Sequence, residues 1–154
     1  MIFEDDVAFL KRYDDKKLKR AIDSLNKTDW EFFYLGGLER RMNPRPTYNH
    51  LRNKWSGEYN SEFDYIMECR KVGWAQSFAV NSTIFERVAT DYDNNIWDLL
   101  VENHDSHLDR YYQDVLKPKT YACVPTFTTQ YNSVSDLSRT RTNRALRLNP
   151  TDNK

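Results

Sequence analysis

The chain opens on Met1-Ile2-Phe3-Glu4-Asp5-Asp6-Val7, and the reading of this stretch governs the rest. Apolar residues that stop at acids predict a buried strand delivering carboxylates to its terminus, as α/β sheets do. Adjacent carboxylates repel one another, and a hard divalent cation such as Mg²⁺ or Mn²⁺ removes that cost while bridging to phosphate oxygens. Alternation along an extended segment predicts that Glu4 and Asp6 face one way and Asp5 the other. One carboxylate can then hold a metal while a neighbour reaches a ribose hydroxyl. Acids gathered at a helix N-terminus explain the same residues through the helix dipole, and both readings stand at this point.

The 154 residues, 18.5 kDa, fit one domain of ordinary size or a piece of a larger one. Hydrophobic residues make up 39% and aromatics 14%, enough to fill a core at a mean hydropathy of -0.87. Basic and acidic residues balance at 23 each, which excludes a simple polyanion binder, and no nucleic-acid partner is expected. No apolar run approaches the roughly 20 residues of a membrane span. Acids stand where a signal peptide carries Lys or Arg, so a cytoplasmic protein, or one peripheral at a membrane, is expected. Cys69 and Cys123 lack zinc spacing and read as core.

Further along, Val7, Leu10, Tyr13, Leu18, Ile22 and Leu25 recur at helical spacing, and the break at Tyr13-Asp14-Asp15 predicts two helices. Lys16, Lys17, Lys19 and Arg20 form the solvated face of the second. Asp29 to Leu35 predicts a strand ended by Gly36-Gly37. From Leu38 to Met67 the chain is polar, aromatic and broken by Pro44, Pro46 and Gly57. A long loop is expected there, with residues 38–59 a mobile flap over a cleft. Asp64 to Arg70 and Gln76 to Val80 predict strands. Asn81-Ser82-Thr83 caps a helix to about Thr90, with Glu86 placed for a capping box. Helices are expected over Ile96 to Val101 and from His107 to Leu116, stopped by Pro118. Tyr121 to Val124 predicts a last apolar strand, followed by hydroxyl-rich sequence.

Four other features offer chemistry. His104-Asp105-Ser106-His107-Leu108-Asp109 holds possible metal ligands or a base, though a polar loop and N-cap fit as well. The polar run Pro125 to Asp136, with Gln130 and Ser135, follows a buried strand, where open sheets place ligand contacts; a surface turn fits it equally. Arg139, Arg141, Arg144 and Arg147 suit phosphate, acidic glycan or an anionic membrane, or are merely solvated. Trp55, in the expected loop, can stack on a sugar ring.

In this order the pieces resemble the glycosyltransferase family that includes bacterial lipooligosaccharide galactosyltransferases and collagen galactosyltransferases. The strand with the acidic triplet Glu4-Asp5-Asp6 comes first, then Asp29-Trp30-Glu31-Phe32-Phe33-Tyr34-Leu35-Gly36. Trp74 to Ser82 matches the family's small-aromatic strand leading into a helix. His107-Leu108-Asp109-Arg110-Tyr111-Tyr112 matches its helix-start aspartate, and Tyr121 to Pro125, Gln130 and Ser135-Asp136 its ending.

The resemblance implies an α/β, GT-A-like fold with a mixed sheet and flanking helices. It also implies a nucleotide-sugar donor, often a UDP-hexose, a glycan or glycoprotein acceptor, and a divalent metal, Mn²⁺ or Mg²⁺. On this reading Asp6 is a metal ligand, with Glu4 and Asp5 on metal or ribose. Asp109 orients or deprotonates the acceptor hydroxyl. His107, Gln130, Ser135 and Asp136 fall in motifs that line the cleft. In the family a nucleotide-binding half precedes the triplet. Residues 1–137 therefore read as the C-terminal portion of such a domain (a fragment, a split gene product, or the partner of a separate N-terminal half), and 138–154 as a basic polar tail. A non-catalytic glycan- or protein-binding module derived from such an enzyme, and a metal-dependent nucleotidyl- or phosphotransferase, are the alternatives.

Overall fold

A computed structural model of the chain describes residues 1–4, 6–11, 13–37, 42–49, 54–55, 63–73, 76–91 and 111–130. Its centre is a mixed sheet. The strands are Ile2–Phe3 (β1), Val7–Phe9 (β2), Phe32–Tyr34 (β3), Tyr48–Asn49 (β4), Lys54–Trp55 (β5), Ile66–Cys69 (β6), Ser77–Val80 (β7), Thr120–Cys123 (β8) and Thr128–Gln130 (β9). Five form one sheet in the order β1-β7-β3-β8-β6; β2 pairs with β9, and β4 with β5. Only the β3–β8 pair in the large sheet is parallel, and β7 and β6 run against their neighbours. Hence β1, β3 and β8 all point the same way and their carboxyl ends share one edge of the sheet.

The two central strands explain their own composition. Phe32 and Tyr34 of β3 pack with Phe78, Ala122 and Val124 on one face, and Phe33 and Leu35 with Tyr121, Cys123 and Phe127 on the other. A strand buried on both faces is apolar continuously rather than alternately, which is what residues 32–35 and 121–124 display. Cys69 and Cys123 lie in these cores as expected. Burial pushes the Cys69 thiol up to about 12 and raises that of Cys123 further still.

Helix α1, Asp15–Leu25, covers the second face through Ala21 and Leu25. Its start is set by Asp14, whose carboxylate accepts from Lys16 N at 2.7 Å. Of the charge run, Lys16, Lys19 and Arg20 are exposed as expected, while Lys17 is half-buried. Arg20 reaches across to Asp64 at 2.5 Å, and Ser24 Oγ accepts from Asp64 N at 2.9 Å, tying the helix to the entry of β6. After β7, Asn81 caps the turn Ser82–Ile84 through Thr83 N, and residues 85–91 continue as helix. Tyr111–Leu116 is wound as a π-helix. There Tyr111 is buried, its hydroxyl 3.0 Å from Asp91 Oδ2, and burial with that bond raises its pKa to about 12.

Several expectations are corrected. Residues 7–10 are not helical: Val7, Ala8 and Phe9 pair with Gln130, Thr129 and Thr128, and Leu10 N donates to Phe127 O at 2.9 Å. Three residues between a turn and a loop are too few to nucleate a helix, whatever their spacing. The strand carrying the acids is not buried. Among the described residues it is the sheet's edge, flanked by β7 on one side, with Ile2 50% and Phe3 45% exposed. Part of 38–59 is packed rather than a flap. Met42 is in the core, Asn43 N donates to Lys71 O, Arg70 N donates to Asn43 O, and β4 with β5 make a hairpin.

Candidate functional site

At the carboxyl edge of β1, β3 and β8, distant parts of the chain cross. Glu4 follows β1 directly, and its N–H donates to Gln76 O at 3.0 Å, extending the β1–β7 pairing. The chain then turns, Val7 N donating to Glu4 O at 3.3 Å, so Asp6 lies in the turn between β1 and β2. Extended alternation therefore stops at Glu4, and the expected Glu4/Asp6 pairing on one face of a strand is replaced by a bend. Because β2 lies beside β9, that bend brings Glu4 to Gln130: Nε2 of Gln130 donates to Glu4 Oε2 at 2.7 Å across 126 residues. Two residues picked out separately in the sequence thus meet.

Beneath this contact the packing is close and polar. Thr126 and Thr128 are fully buried, so the hydroxyl-rich run after Val124 is no surface turn over residues 126–129. Gly36, just past β3, bridges to Thr128 in parallel fashion. A Cβ on Gly36 would stand 2.0 Å from Thr128 Oγ1 and 2.6 Å from Gln76 Nε2, so glycine is required for backbone to approach here. The Ser77 and Thr128 hydroxyls are 2.5 Å apart, and Gln76 Nε2 donates to Thr128 O at 3.2 Å. Among the described residues, two buried side-chain atoms have no hydrogen-bond partner, Asp6 Oδ1 and Gln76 Oε1. Both are acceptors. A buried acceptor without a donor costs about 1–3 kcal/mol, and the groups that could relieve that cost carry positive charge or a hydrogen-bond donor.

Of the remaining expected residues, Trp55 falls on β5 opposite Tyr48. Asp5, His107, Asp109, Ser135 and Asp136 lie outside the described residues, as does the arginine-bearing tail. Among the described residues no group of three or more His, Cys, Asp or Glu is placed to hold a metal ion. Glu4 and the unpartnered oxygen of Asp6 are the described donors that suit one. Gln76, Thr128 and Gly36 lie in stretches the sequence marks, but none of the three is expected there as a site residue. The trace they leave there is a glycine pair closing one apolar strand and a polar Gln-Ser pair opening another. No described helix is long and apolar enough to cross a membrane. Compared with protein-family models, curated proteins and solved structures, the chain matches none of them.

Proposed function

We propose that the chain is the acid-bearing, acceptor-side portion of a metal-dependent glycosyltransferase that uses a nucleotide-sugar donor. The observation that carries this reading is the convergence of Glu4, Asp6 and Gln130 at the carboxyl ends of β1, β3 and β8, where α/β sheets bind ligands. The family resemblance of the motifs supports it further.

On this reading Asp6 and Glu4 hold a divalent cation, which would offset the charge of the departing nucleoside diphosphate. Asp6 suits the part because a carboxylate oxygen that is buried and unpartnered gains most from a cation. Gln130 holds the Glu4 carboxylate in one orientation, so that little reordering is needed on binding. As the bond from the sugar to the diphosphate breaks, the acceptor hydroxyl bonds to the same sugar carbon and gives its proton to a base. Asp109 is the candidate for that base.

Calorimetry with Mn²⁺ and UDP-hexoses tests the proposal. Binding that needs both partners and falls at least tenfold in Asp6→Asn is expected. Glycan binding that ignores nucleotide and metal would replace this reading with that of a non-catalytic module. Nucleotide hydrolysis without sugar transfer would favour a phosphotransferase instead.

A further inference from the structure

Gln76 is 4% exposed and stands where β7 begins, against the carboxyl edge just described. Its amide cannot be reversed. Thr128 O only accepts, so the nitrogen must face it, at 3.2 Å, and the oxygen is the end left over. Gly36 closes the nitrogen side, since even a Cβ there would come within 2.6 Å. The fold therefore holds a neutral acceptor, Oε1, in one orientation, out of water and without a donor.

We propose that Gln76 is a sugar-recognition residue, its Oε1 accepting a hydrogen bond from a hydroxyl of the hexose. The inference rests on the glycosyltransferase reading and adds to it a residue and a division of labour. Mg²⁺ and Mn²⁺ favour charged oxygen ligands, which suits the carboxylates of Glu4 and Asp6. An interior amide oxygen lacks the charge for that role. It does suit a neutral hydroxyl that has shed its own water. A site built to receive such a hydroxyl discriminates sharply against ligands that lack it, because the buried acceptor is again left alone.

The test uses the whole chain with Mn²⁺ and a fixed set of probes: UDP, UDP-glucose and UDP-galactose. Gln76→Met keeps the length of the side chain and removes the acceptor. It is expected to bind at least one UDP-hexose tenfold or more weakly while binding UDP as the wild type does. In the wild type, the Gln76 side-chain amide resonances should shift with that UDP-hexose and not with UDP. Equal affinities in Gln76→Met, with the wild-type amide unmoved, overturn the proposal and leave the proposed function standing; they would assign Oε1 to a buried water. If the wild type binds none of the probes, the function fails and this inference with it. Should Gln76→Met not fold, the wild-type amide shift decides alone.

Discussion

The two ends of the central strands are built on opposite principles. At the amino ends of β3 and β8 the polar groups are matched. Glu31 Oε2 accepts from Lys119 N at 2.7 Å, Glu31 pairs with Arg87 at 3.5 Å, Lys119 pairs with Asp29, and Asn81 Nδ2 donates to Trp30 O at 3.0 Å. At the carboxyl ends, Asp6 Oδ1 and Gln76 Oε1 are buried and unmatched. Folding alone would favour satisfying both ends, since each unpaired buried acceptor costs stability. The difference teaches that one end secures the sheet while the other carries two unmatched buried acceptors, at the expense of stability.

The largest expected effect strikes the carboxyl end. Gly36→Val should destabilise by about 3 kcal/mol or more, since its branched side chain has to displace Thr128 and Gln76 from contacts already closed. Thermal unfolding measures it, and a loss under 1 kcal/mol would mean that the close approach of β3 to β9 is wrong. Next comes the amino end, where Glu31→Ala is expected to cost about 1–3 kcal/mol by leaving Lys119 N unpaired. A neutral result in denaturant titration would erase the contrast between the ends.

Alkali should loosen both ends, because the thiols of Cys69 and Cys123 flank them and burial raises both. The folded chain keeps protons that the unfolded chain releases, so stability is full below the ordinary thiol pKa of 9.0 and falls as pH rises toward 12. The slope should approach roughly 1 kcal/mol per pH unit for each thiol. Cys69→Ala should flatten it; an unchanged slope would assign the alkaline loss to other groups. The smallest effect is expected from Asp6→Asn, within about 0.5 kcal/mol of the wild type, because Oδ1 makes no hydrogen bond that the substitution could break. A loss above 1 kcal/mol would show that Asp6 is structural.

The sequence shows the secured parts of the molecule more clearly than the open ones. β3 and β8 announce themselves as apolar runs, and Asn81 as a cap, because burial on both faces and capping each leave a local pattern. β2 does not, since three residues carry no period and its identity comes from β9, far along the chain. The burial of Thr128 is hidden for a like reason: composition says exposed, while partners on Gly36 and Ser77 make the interior acceptable. Glu4 and Gln130 could each be named from motifs, but their contact depends on the turn at Asp6 that strand alternation did not foresee. Gln76 stayed unnoticed because a lone glutamine at a strand start has no local mark of function.

The parallel pairing of β3 with β8 has a consequence for how the chain reaches its fold. Glu31 and Lys119, at the start of that pair, are 88 residues apart, and Glu4 and Gln130 are 126 apart. During synthesis β3 can meet β7 once residues 77–80 have emerged, but its other side, toward β8, stays unpaired until residues 120–130 follow. Folding dominated by such distant contacts is slow, and exposed apolar strands invite association meanwhile. A chain stopped before residue 120 would keep β7 beside β3 but lack β8 on its other side, and collecting in aggregates is the fate expected of it.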